Sequence, residues 1–117
     1  MCVLSARAPL LAQATDAINN RDVLIAPGAA IPAPKIGESR RFDADAGGVD
    51  VLSAILRFTS PFDVTGQPAI AIPTGLSTDG LPLSMQIVGR PFAEVTVLQV
   101  ASAYEKARGA LPAPPPL

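Results

Sequence analysis

Histidine and tryptophan are absent from the 117 residues, cysteine occurs once, and only 16% of the chain is Asp, Glu, Lys or Arg. Without histidine there can be no His-based metal site and no Ser-His-Asp or Cys-His arrangement contained within the chain. The single Cys2 excludes an internal disulfide, and a lone thiol near a terminus reads as incidental. Nine basic residues against ten acidic ones leave a net charge of -1 with no basic run, which argues against nucleic acid as a partner. No apolar run approaches the roughly 18 residues needed to span a bilayer, and Met1 to Arg7 lacks a basic segment followed by a full apolar stretch. A cytoplasmic protein with no membrane partner, no metal and no cofactor is the expectation.

What is present is apolar material, 49% of the residues, enough to build the core of one small domain. An average soluble domain carries about 25% charged residues. So charge-poor a chain is expected to expose apolar surface that lies against something else.

The sequence is organised around Arg57 to Phe92. Two short apolar runs, Ala69-Ile70-Ala71-Ile72 and Leu83-Ser84-Met85-Gln86-Ile87-Val88, are bounded by Gly and Pro as strands are. Asp79-Gly80 between them suits a tight turn, so an antiparallel hairpin is predicted. Pro73 marks the end of the first strand. Residues 69–72 show no polar alternation, which predicts a central strand covered on both faces. Ser84 and Gln86 alternate with Leu83, Met85 and Ile87, so one face of the second strand is expected to meet water or a polar site.

Around the hairpin, residues 8–20 read as a helix opened by Pro9, with Leu10, Leu11, Ala14, Ala17 and Ile18 on one face and Asn19-Asn20 at its end. Asp22 to Ala26 is a strand stopped by Pro27-Gly28. Residues 27–37 are an extended connection, and 40–48 a polar loop whose Arg40-Arg41 pair and acids form a solvated face. A helix over 49–56 buries Val51, Leu52, Ile55 and Leu56, with Asp50 in its first turn. Pro91 opens a last helix over 93–108, with Val97, Leu98, Ala101, Tyr104 and Ala107 at helical spacing, Glu94 in the first turn, Lys106 and Arg108 in the last, and Gly109 past the end. The tail 111–117 is Pro-rich and is expected to be disordered or polyproline II, set apart from a domain over 1–110. The fold class is α/β: a short mixed sheet with an antiparallel hairpin and about three helices.

The ordered run Phe58-Thr59-Ser60-Pro61-Phe62-Asp63-Val64-Thr65-Gly66-Gln67-Pro68-Ala69-Ile70, then Ile72-Pro73 and Gly75, Asp79-Gly80-Leu81-Pro82, and Gln86-Ile87-Val88-Gly89-Arg90-Pro91-Phe92 with Glu94, resembles the C-terminal part of the amidase signature family. Asp22 to Pro27 and Ile31 to Gly37 extend the resemblance, which reaches from Asp22 to Lys106. It implies a fragment of the larger amidase signature fold. The family cleaves amides with a Ser-Ser-Lys triad carried on a Lys segment and a G-G-S-S-G-G-type stretch, and neither stretch occurs in this sequence. Lys35, Lys106 and the serines at 53, 60, 77, 84 and 102 match none of those positions.

The resemblance therefore implies no catalytic residue here, and a chain that contributes sheet and pocket wall but is inactive alone. The segment from Phe58 to Gly66 would turn beside the substrate pocket, which makes Thr59, Pro61, Phe62 and Asp63 candidate lining residues. Structural roles account for the same residues: Phe62 as core, Pro61 fixing the loop, Asp63 capping the turn toward Thr65-Gly66. Asp63 stands where the family commonly has Asn, and Leu56 where the tRNA-dependent amidotransferase branch tends to carry Asp, which favours a general amidase. The expected partners are an N-terminal amidase fragment or further copies of this chain, with a small-molecule amide substrate only in a complete enzyme. A noncatalytic interaction module using the apolar surface or the Pro-rich tail is the alternative.

Overall fold

The predicted hairpin is present, with β1 (Val23–Pro27) paired to it and the last helix packed on it, while the first helix packs on a short helix ahead of the hairpin. The computed structural model describes residues 3–36 and 50–111; Cys2, the 40–48 loop, Val49 and the tail beyond Leu111 lie outside the described residues. In chain order the elements are α1 (Val3–Ala17), β1 (Val23–Pro27), α2 (Val51–Leu56), α3 (Ser60–Thr65), β2 (Ala69–Leu76), β3 (Pro82–Gly89) and α4 (Glu94–Arg108).

Gly80, with a φ of 78°, takes the left-handed position of the hairpin turn. The loop closes through Gly80 N–H to the Ser77 carbonyl at 3.0 Å and Ser77 N–H to the Leu81 carbonyl at 2.8 Å. Strand β3 then pairs antiparallel with β2 on one side and β1 on the other, giving the order β1-β3-β2. The sheet is antiparallel throughout, not mixed.

The central strand is β3 and the edge strand β2, the reverse of the expectation from residues 69–72. Ile72 is buried and Ile70 half-buried, but Ala69 and Ala71 are exposed. The apolar run conceals a true alternation, because alanine is too small and too neutral to mark a solvent face. Edge position also explains why Pro73 does not end the strand: β2 continues to Leu76 through an irregularity between Pro73 and Gly75, and an edge strand tolerates a missing N–H.

The register places Ile25, Ile87 and Ile70 on one face, and Ala26, Gln86 and Ala71 on the other. The first face packs against α4, where Ile72, Ile87, Val97 and Ala101 form the core with Val23, Ile70, Met85, Val100 and Tyr104 around it. Contact there is close. A Cβ built on Gly89 would lie 2.6 Å from Val97 Cγ2, so glycine is required for β3 and α4 to approach.

The helices differ from expectation in their bounds and in which apolar positions they bury. Helix α1 begins before Pro9, which lies inside it, and ends before Asn20, whose φ of 63° turns the chain toward β1. Asp50 is the N-cap of α2 and not part of its first turn; its carboxylate accepts the Ser53 N–H at 2.9 Å and the Ser53 hydroxyl at 2.8 Å. In α2, Val51 and Ala54 are buried whereas Leu52 and Leu56 are exposed, and in α4 Leu98 is 58% exposed and Ala107 exposed as well. Ala17 of α1 is also exposed. Helical spacing identifies apolar positions, but one thin sheet covers only part of them.

Pro91 does not open α4. It precedes Phe92, which has a φ of 64°, in a turn closed by Ala93 N–H to the Arg90 carbonyl at 3.0 Å. The described residues form four helices, not three. The additional one, α3, occupies the segment read from sequence as a turn.

Candidate functional site

Local sequence accounts for α3. Pro61 lies at its first turn, where a missing N–H costs nothing, and Gly66 ends it in the left-handed conformation with its N–H on the Phe62 carbonyl at 2.8 Å. Thr59, Phe62 and Asp63 stand at i, i+3 and i+4 and share a face. That face closes a cleft of about 320 Å³ against the sheet, with Ala69 and Ala71 of β2, Ser84 and Gln86 of β3 and Gly28 after β1 as the other walls. Pro61 is displaced from this group. With Arg57, Ser60 and Val64 it sits on the opposite side of α3, in an apolar groove of about 530 Å³ lined also by Leu10, Leu52 and Leu56.

Three of the four residues singled out from sequence are thus brought together and the fourth is not. A turn has no faces by which to sort its residues; a helix does. The cap expected of Asp63 does not form: its carboxylate is exposed at the cleft, and the turn closes through backbone bonds.

The cleft is polar at its base. Gln86, 4% exposed, extends its Nε2 to the Phe58 carbonyl and, at 3.5 Å, to the Pro27 carbonyl. Gln67, also buried, donates through Nε2 to the Gly89 carbonyl at 3.3 Å and accepts the Thr65 hydroxyl at 3.2 Å. Gly28 donates its N–H to the Ser84 carbonyl at 2.9 Å, and a Cβ there would meet Ser84 Oγ at 2.1 Å. Gly28 and Gln67 carry no site signal in the sequence, and Gln86 carries one only through its alternation with apolar neighbours. The alternation of Ser84 and Gln86 is the signal that one face of β3 meets a polar site, and this is that face.

Among the described lining residues Asp63 is the one ionisable group and Ser84 the one serine. Lys35 and Lys106 are exposed elsewhere, the latter toward the end of the outer face of α4 that also carries Val95 and Leu98. The cleft offers hydroxyl, carboxylate and amide groups on its walls. Its described residues hold no nucleophile paired with a base.

The amidase family model matches residues 3–98. The chain belongs to the amidase family. Over 90 residues it is 39% identical to the fatty acid amide hydrolase of Medicago truncatula, covering 75% of this chain and 14% of that protein. Over 97 residues it is 42% identical to the 6-aminohexanoate-cyclic-dimer hydrolase of Pseudomonas sp. (strain NK87), covering 78% of this chain and 19% of that protein. It superposes on the crystal structure of an amidase with a TM-score of 0.82 at 27% identity, covering 90% of this chain and 24% of the other. The chain spans a quarter or less of the length of these amidase relatives, and the fold above is the corresponding part of an amidase domain. No helix among the described residues is long and apolar enough to cross a membrane.

Proposed function

We propose that this chain supplies the sheet and one wall of the substrate pocket of an amide-hydrolysing enzyme, and that the reactive serine and its base come from amidase sequence outside these residues. The cleft carries the reading: Thr59, Phe62 and Asp63 project from one face of α3 over the polar face of β3. The absence from this sequence of a Lys segment and a G-G-S-S-G-G-type stretch supports the division of labour. A general amidase, not a tRNA-dependent amidotransferase, is the parent type that Leu56 favours. The substrate is a small carboxamide, and the complementing partner is the N-terminal part of an amidase domain.

The test is hydrolysis of aliphatic and aryl amides by three samples: this chain, an N-terminal amidase segment bearing the triad, and the two co-expressed. Neither alone turns over substrate above background, and the pair does. Turnover by this chain alone that survives purification and is lost on a Ser→Ala change within it would contradict the proposal. A co-expressed pair that binds but stays inactive would favour a noncatalytic interaction module.

A further inference from the structure

The geometry points to Gln86 as a positioning residue that sets the spacing of the cleft walls. This rests on the reading of the cleft as a substrate pocket and adds to it a residue that touches no reacting atom. Carbonyls from two other segments of the chain converge on its one amide group. The side chain rises from β3, and its Nε2 donates to the carbonyl of Phe58, which leads into α3, and to that of Pro27 at the end of β1. Both neighbours are acceptors, so it must be the NH₂ that faces them, and its two protons match two carbonyls. Gln86 is 4% exposed, so an unmade bond there would not be replaced freely by water. At the other end of α3, Gln67 donates to Gly89 of the same strand. The wall bearing Thr59, Phe62 and Asp63 is thereby held to β3 before and after the helix. Apolar contacts carry no directional preference, so these hydrogen bonds supply the directional part of the link between the wall and β3.

Hydrogen exchange read by mass spectrometry on the full 117-residue chain tests this, using the protection of 59–66 relative to 94–108 within each sample. Gln86→Met keeps the volume and removes both donors; about a tenfold loss of protection is expected in 59–66, with 94–108 unchanged. Gln86→Glu adds a readout that packing would not move. As a carboxylate it faces two carbonyl oxygens with no donor, whereas protonated it regains one, so protection of 59–66 relative to 94–108 should fall at neutral pH and recover in acid. An unchanged ratio in both variants, or equal loss in both segments, would overturn the assignment. Should Gln86→Met not fold, the pH response of Gln86→Glu decides alone, and a ratio flat with pH overturns it. No turnover is involved, so failure here leaves the amidase reading standing, and failure of complementation leaves this result standing.

Discussion

Gly89 illustrates what a single residue contributes and what sequence conceals. Read along the chain it simply ends a strand; in the fold it lies between Pro68, Ala93 and Val97, and a Cβ there would approach Val97 more closely than a side chain allows. Gly89→Ala must therefore push α4 off the sheet or strain Val97. A loss of about 1–3 kcal/mol is expected, the usual cost of overpacking, visible as a lower denaturation midpoint with an unchanged slope. The candidate site residues are legible in the sequence to a similar degree. Thr59, Pro61, Phe62 and Asp63 are marked by resemblance, although Pro61 lies outside the cleft, and Gln86 is marked only through the alternation that gives β3 a polar face. Gly28 and Gln67 are not, because their importance lies in close approach and burial, which depend on residues distant in sequence.

At the scale of elements, the hairpin, β1 and α4 are legible because short apolar runs bounded by Gly and Pro, or spaced by three and four, have few other solutions. Helix α3 escapes such reading because a single turn of helix between Pro61 and Gly66 has the same residue types as a turn. Helix α2 is another short element, and its start depends on one group. The Ser53 backbone N–H, followed by its hydroxyl, holds the Asp50 carboxyl below the ordinary carboxylate range. A group lowered in the folded state contributes stability that is present above its unfolded pKa and lost as the pH falls through the folded one. Asp50→Asn retains an N-cap acceptor but does not titrate there. In acid titrations followed by circular dichroism, the native chain should lose stability more steeply than the Asn variant only once the pH falls below the ordinary carboxylate pKa, with parallel behaviour from there up to neutral pH. Curves that stay parallel below it as well would show that Asp50 does not contribute.

For the whole molecule, composition and structure converge. Only 16% of residues are charged, and the described surface exposes Leu52, Leu56, Val95 and Leu98 on helices with no layer of described residues over them. Phe92 is 94% exposed as well. Among the described residues the outer edge of β2 is unpaired, and an unpaired edge is a template for another chain. A net charge of -1 offers little repulsion between copies. Light scattering across a concentration series, with and without a co-expressed N-terminal amidase segment, is the decisive measurement for the proposal that this chain is one part of an amidase whose apolar faces need the remainder. Mass is expected to rise with concentration for the chain alone, and the co-expressed pair to be a discrete one-to-one complex. A monodisperse monomer at high concentration, unfolding cooperatively and ignoring the N-terminal segment, would contradict it.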